Sequence, residues 1–362
     1  MIGVKKLTLG EVAKIVTGVT PSSEFADNWG TEIPFLTPTD ISGFDYKIST
    51  ERHLSKESIK RLNSRVIPPN SIAVVCIGTI GQIGFIREPT LTNQQINTLI
   101  PDTKIVSPEF IFYYLQLMTQ QLGKIAGGSN VPMLPKSTFE KVEIHVPTLK
   151  DQELIVSKLV VIDNLVAVNT EIIVNIENTL NQIYNRFFAN PKEDWKIVNL
   201  SSFVNVVTGK RDANYASNTG LYNFFTCSEK ILKCDNYAFE GKAILIAGNG
   251  NFNIKLYEGK FDAYQRTYVL IPSKEDYYSL IYLAVKDRIQ SLSQNSRGSI
   301  VKFITKGDIE DIPIVIPDSE HMYLLKAMNK LTRLLELKKA ENSEIINRRN
   351  LYLPFYFSKI LA

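Results

Sequence analysis

Along residues 150–189 apolar side chains recur at alternating steps of four and three: Ile155, Leu159, Ile162, Val166, Ile173, Ile176, Leu180, Ile183 and Phe187, with Asn169 the one polar member. The stretch contains neither Pro nor Gly. Such a seam, kept over more than four heptads, predicts a coiled-coil helix. At about 1.5 Å per residue it would run roughly 50 Å. The same positions moved on by 169 are Leu324, Met328, Leu331, Leu335, Lys338, Asn342, Ile345, Arg349, Tyr352 and Tyr356. The register is retained, although Lys338, Asn342 and Arg349 are polar. A narrow apolar stripe is not stable in water alone, and each helix is the obvious partner of the other. The expected arrangement is an antiparallel coiled coil with pseudo-two-fold symmetry, placing Ile155 beside Tyr352 or Tyr356. Asn169, Lys338 and Asn342 would fix its register. The other arrangement, each helix packed on its own domain, fits an unbroken heptad less well.

Outside these tails the pattern is mixed. Ser71–Ile77 and Lys242–Ala247 are short apolar runs bounded by turn residues and read as buried strands. Val142–Val146 alternates and is closed by Pro147. Ser107 and Pro108 read as the cap and first residue of a helix whose apolar spacing continues to Leu122. The fold class is therefore α+β.

The chain also repeats itself. Leu9–Gly18 matches Leu200–Gly209, both ending Val-Thr-Gly. Ile33–Thr37 matches Tyr222–Thr226, and Asn93–Pro101 matches Tyr264–Pro272. Gly128-Ser129 through Lys136 to Pro147 matches Gly298-Ser299 through Lys306 to Pro317. Offsets shrink from 191 to 170, so the second copy is shorter inside, with deletions expected in loops. The division is residues 1–149, a helix at 150–190, a second domain at 191–318 and a second helix at 319–362.

Composition adds limits. Of 362 residues, 44% are hydrophobic and 22% charged, which are globular values. No uninterrupted apolar run reaches the roughly 20 residues of a membrane span, and the N-terminus lacks an apolar leader. A soluble, cytoplasmic protein without membrane partners is expected. Cys76, Cys227 and Cys234 are not in metal spacing and read as reduced or buried thiols. Net charge is only +4. Its distribution says more. Residues 1–150 hold 15 basic against 13 acidic side chains, 151–195 hold 3 against 7, 196–318 hold 15 against 13, and 319–362 hold 8 against 4. The two tails thus carry opposite charge.

No phosphate loop of the Gly-x-x-x-x-Gly-Lys-Ser/Thr type is present, nor the Asp/Asn-Pro-Pro-Tyr/Phe element of amino-methyltransferases. His53, His145 and His321 are too widely spaced for a histidine metal site, and His145, on a strand, and His321, at a helix start, read as structural. Gly78-Thr79-Ile80-Gly81-Gln82-Ile83-Gly84 has the wrong spacing for a dinucleotide loop and reads as a strand-to-strand turn. No catalytic or metal-binding residue is assigned.

The order of domain, helix, domain, helix, with the paired Val-Thr-Gly and Gly-Ser markers and a proline before each helix, resembles the specificity subunit of type I restriction–modification systems over essentially the whole chain. In that family a Glu-Gln pair often opens the helix. Asp151-Gln152-Glu153 is a near match, and Asp318-Ser319-Glu320 departs from it. The resemblance implies two target-recognition domains, each reading half of a bipartite site in double-stranded DNA, and spacer helices that dock two modification subunits. S-adenosylmethionine would bind those partners, and restriction/translocase subunits joining them would use ATP and magnesium. The chain itself would hold no cofactor and catalyse nothing. Two other classes remain open: an enzyme acting on nucleic acid, such as a nuclease, which would need convergent carboxylates or a metal cluster, and a coiled-coil scaffold with no DNA role.

Base edges and phosphates are contacted by Arg, Lys, Asn, Gln, Ser and Thr side chains. The candidates in the first domain are Thr20, Ser22, Ser23, Thr37, Thr39, Asp40, Gln94, Gln95, Asn97, Ser129 and Asn130. Those in the second are Lys210, Arg211, Asn214, Thr226, Ser228, Asn249, Asn251, Gln265, Arg266, Arg297 and Ser299. Thr17-Gly18 and Thr208-Gly209 recur in both copies, so they are expected to be structural or phosphate-binding.

Overall fold

The computed structural model describes residues 3–22, 24–127, 131–191, 194–250, 252–295 and 303–361. It divides into two compact units, Met1–Thr170 with Glu341–Ala362, and Glu171–Ala340. The first long helix (Leu149–Phe187) and the second (Met322–Leu361) each contribute one part to either unit.

The first unit opens and closes on one antiparallel pair, Lys5–Thr8 against Glu143–Val146. Its main sheet orders Ala13–Thr17, Ile96–Pro101, Ser71–Val75, Ile83–Ile86 and Phe44–Asp45. The run Ser71–Val75 is buried on both faces, as its continuous apolar sequence requires. Against it packs the helix Pro108–Leu117, whose N-cap Ser107 Oγ accepts from Phe110 N at 3.1 Å. The helix breaks at Met118 and resumes as Thr119–Ile125. The stretch around Gly78–Gly81 is a turn leading into the antiparallel strand Ile83–Ile86, with Gly78 and Gly81 both at positive φ.

The second unit repeats this plan. Lys196–Asn199 pairs with Pro313–Ile316. The sheet runs Val207–Thr208, Thr267–Leu270, Phe239–Ala247, Ile254–Ala263, Tyr222–Phe225 and Leu232–Cys234. Gly241 and Gly259 are register partners on its central hairpin, and both take φ +134. Only glycine adopts that conformation freely, so the paired glycines mark where the hairpin bends.

The shortening of the second copy does not fall only in loops. The first unit carries a side sheet (Trp29–Leu36, Arg52–Leu54, Leu91–Thr92) and the helix Lys56–Leu62. They share a small core of Phe35, Leu54 and Leu91 with Ile59 and Leu62 beside it. Among the described residues the second copy has no helix between Thr226 and Tyr264. A satellite core of its own lets such a group be lost without opening the main one.

Within the first unit the two helices run antiparallel. Asp163 meets Arg349 and Thr170 meets Asn342, so one number falls as the other rises. Ile155 and Tyr356 pack on the same core, and Lys158 lies over the Tyr356 ring at 5.7 Å. Tyr352 is exposed instead, and Leu353 and Phe357 carry the buried contact. In the second unit Glu177 binds Lys339 at 2.5 Å, an attraction of the kind the opposite tail charges implied. None of the ten seam positions of the first helix is exposed, but Val156, Asp163, Tyr184 and Phe188 are more deeply buried than half of them. The helix also packs on the domains, which widens its buried face.

The Gln152 side chain ties the start of the first helix to its domain. Its Oε1 accepts from Ser107 N at 2.8 Å, and its Nε2 donates to Ile105 O and Pro147 O. The second helix starts differently: Asp318 caps His321 N, and the His321 ring lies 5.3 Å from Trp195. One 18-residue window of the first helix has a mean hydropathy of 1.7, enough by length and composition to cross a membrane. Uninterrupted runs did not reveal it, because Asp163 and Glu171 divide the apolar residues. In the described residues Cys76, Cys227 and Cys234 are all free thiols. Burial pushes the Cys76 thiol up to about 11.

Candidate nucleic-acid interface

In the second unit the chain gathers most of its candidates on one rim of the sheet. Gln265 and Arg266 form the turn between Ile254–Ala263 and Thr267–Leu270. Gln265 N donates to Arg211 O at 2.9 Å, and Gln265 Nε2 to Asp212 Oδ1 at 2.9 Å. Arg211 lies over the Tyr215 ring and bonds Asp262, which is 1% exposed. Asn214 belongs to the short helix beside it. Gly248 N donates to Arg266 O, which brings Asn249 alongside. Lys210, Arg211, Asn214, Ser228, Gln265 and Arg266 are exposed.

Three residues of this rim were not singled out from sequence. Lys255 Nζ donates to Ser228 O at 2.7 Å, Asn253 Nδ2 to Cys227 O at 2.7 Å, and Lys306 lines the groove beside Arg266. Burial lowers the Lys255 ammonium below its usual range. Lys255 and Asn253 sit in a strand and its approach, where periodicity gives no hint that a side chain will reach a neighbouring loop.

In the first unit Thr20 and Gln94 bond one another, and Asn93 Nδ2 donates to Thr20 Oγ1 at 3.0 Å. Gln95 is half-buried on the same turn. Other candidates are occupied within the fold. Asn97 is buried and accepts from Thr17 Oγ1 at 2.7 Å. Thr37 and Asp40 form a reciprocal cap, Thr39 bonds Thr37, and Asp40 also accepts from Glu51 N. Ser22 Oγ accepts from Glu24 N at 3.3 Å. Thr226 is buried and accepts from Ser228 N. Ser23, Ser129, Asn130, Asn251, Arg297 and Ser299 lie outside the described residues.

The shared Thr-Gly pairs have a steric reason. A Cβ at Gly18 would lie 2.2 Å from the carbonyl oxygens of Thr92 and Asn93. A Cβ at Gly209 would lie 1.8 Å from Ala263 O. Only glycine permits this approach, so each pair seats the turn that carries Gln94-Gln95 or Gln265-Arg266. His145 is likewise structural: its backbone N donates to Tyr114 Oη at 3.0 Å.

A model of the type I restriction modification DNA specificity domain matches residues 1–178 and 192–347. The type I restriction enzyme EcoDI specificity subunit of Escherichia coli is 42% identical over 155 residues, covering 42% of this chain and 34% of that protein. Against the first curated relatives the matched segment thus spans about a third of their length. The MjaVIII specificity subunit of Methanocaldococcus jannaschii is 21% identical over 93% of this chain and 88% of its own. Among solved structures, the S subunit of a type I system from M. genitalium has the same fold, with a TM-score of 0.67 at 16% identity over 98% of this chain and 96% of that one.

Proposed function

We propose, on the premise that this chain belongs to the type I restriction modification DNA specificity family, that it reads DNA sequence for a restriction–modification complex and catalyses nothing itself. The observation that carries the reading is the duplicated rim. Two copies of one sheet each present a glycine-seated turn, bearing Gln94-Gln95 in one and Gln265-Arg266 in the other. Gln and Arg are side chains that pair bidentately with adenine and guanine edges. Residues 1–149 and 191–318 are the two reading domains, and 150–190 and 319–362 are the spacers.

The spacers are also the docking surface for two modification subunits. The first helix keeps Leu154, Val161, Leu165 and Val168 exposed on the side away from its buried face. Exposed apolar residues at helical spacing suit a protein partner. S-adenosylmethionine belongs to those partners, ATP and magnesium to restriction/translocase subunits, and the complex works in the cytoplasm.

A mobility-shift assay on a random duplex library, with and without the modification subunits, tests this. Enrichment of one split sequence is expected. A chain that binds no sequence preferentially in either state, or that cuts or methylates DNA alone, would overturn the reading.

A further inference from the structure

The two units hold the same backbone frame beside the reading turn. In the first, Cys76 N donates to Gln95 O at 2.8 Å, Leu134 N donates to Cys76 O at 2.8 Å, and Ile77 bridges Met133. In the second, Gly248 N donates to Arg266 O at 2.8 Å, Ile304 N donates to Gly248 O at 3.0 Å, and Asn249 bridges Phe303. The frames match bond for bond, so Ile77 stands where Asn249 does, Met133 where Phe303 does, and Gln95 where Arg266 does.

Each frame borders a groove of nearly the same size, about 540 Å³ in the first unit and about 550 Å³ in the second. Their chemistry differs: the second is mixed and carries charge, the first is mainly apolar. The second groove sets Asn249, Gln265, Arg266, Thr305 and Lys306 beside Tyr268, Phe303 and Ile304. The first is lined by Ile77, Ile125, Gly127, Val131, Met133 and Pro135, with Thr138 its one polar side chain. Val131 and Met133 are 57% and 47% exposed, so about half of each apolar side chain stands in water.

Resting on the DNA-reading function above, we propose that the first unit recognises its half-site through the C5-methyl groups of thymine. Ile77, Val131 and Met133 form the apolar receptor for those methyls in the major groove. The second unit uses the same frame for hydrogen-bond readout by Asn249 and Arg266. The duplication places both grooves next to the turn that reads base edges. The thymine methyl is the one apolar feature that the major groove displays. Adenine and guanine edges would leave their donors and acceptors unpaired against Ile77 and Met133.

The test uses the complete complex with its modification subunits and the duplex found by methylome sequencing. Deoxyuridine, which lacks only the methyl group, replaces thymine in one half at a time. In the half read by the first unit, each contacted methyl lost should weaken binding about three- to fivefold, the value of one buried methyl group. The other half should be unaffected. Met133→Ser, at an exposed position, should abolish the difference between thymine and deoxyuridine. Equal tolerance of deoxyuridine in both halves, or a first half-site without thymine, would overturn the proposal while leaving sequence-specific binding intact. Loss of modification-subunit binding by Met133→Ser with the thymine preference retained would also overturn it, by assigning the groove to a protein partner. Absence of any sequence-specific binding would instead sink the DNA reading itself.

Discussion

Arg349 Nε lies 3.1 Å from Asp163 Oδ1, and the two side chains are 6% and 9% exposed. Tyr113 Oη donates to the other carboxylate oxygen at 2.7 Å, and the guanidinium lies 5.4 Å from the Tyr113 ring centre. The pair joins the two long helices to each other and to the Pro108–Leu117 helix within the first unit. Its counterparts 169 positions away are Thr332 and Leu180, both buried. The pseudo-symmetry therefore breaks at this point, and a polar pair sits in only one of the two places.

Removing one member leaves a buried charge uncompensated. Asp163→Leu or Arg349→Leu should each destabilise the chain by about 3–5 kcal/mol, and the double Leu variant should recover most of that loss. Urea unfolding of the four proteins measures the coupling. If the single losses simply add in the double variant, the pair does not act as a unit.

If the second rim meets DNA as proposed, base contacts and phosphate contacts there separate by their salt dependence. Arg266→Ala should cost roughly 1–3 kcal/mol of discrimination at one position of the second half-site. Lys210→Ala should weaken all sequences alike and lower the salt slope by about one. Binding titrations at several salt concentrations on matched and mismatched duplexes tell them apart. Arg211→Ala is a poor probe, because it strands the buried Asp262 carboxylate.

Exchange of residues 1–149 for another reading domain should change one half-site and leave the other half unaltered. The structure adds a condition. Phe357 of the second helix packs on Phe110 at 5.4 Å and on Tyr114 at 6.0 Å. Exchanges that preserve those contacts, or that carry residues 341–362 along, should fold, whereas exchanges that ignore them should be insoluble. Methylome sequencing gives the outcome, and a change in both halves from one exchange would exclude independent reading.

Burial raises the Glu336 carboxyl above the usual carboxylate range, partly offset by the Lys242 charge and the Tyr278 hydroxyl. A raised folded pKa means the protonated form is favoured in the fold. The associated stability is full below the unfolded value of about 4.3. It is lost as pH rises through the folded value. At neutral pH the ionised group therefore weakens the second unit. Glu336→Gln should be at least as stable as the parent at pH 7, with the difference closing below about pH 4. Denaturant midpoints across that range decide it, and a less stable variant at pH 7 would mean the Lys242 attraction outweighs burial.

The sequence by itself determined the helices, the duplication and the strand runs, because these depend on local periodicity and on short motifs. Gln94-Gln95 and Gln265-Arg266 open matched segments of the repeat, and both stand on turns before equivalent strands, Ile96–Pro101 and Thr267–Leu270. The sequence did not reveal that Asn97, Thr37 and Thr226 are buried and bonded, nor that Lys255 and Asn253 join the second rim. Whether a polar side chain meets solvent depends on what the rest of the chain brings against it. Tertiary structure alone decided that the last 22 residues complete the first unit. It alone joined Asp163 to Arg349, 186 positions away. It also put a mainly apolar groove in one unit where a mixed, charged one stands in the other. The cost of burying a charge or exposing a methionine is set by neighbours in space, and no spacing along the chain encodes which neighbours those will be.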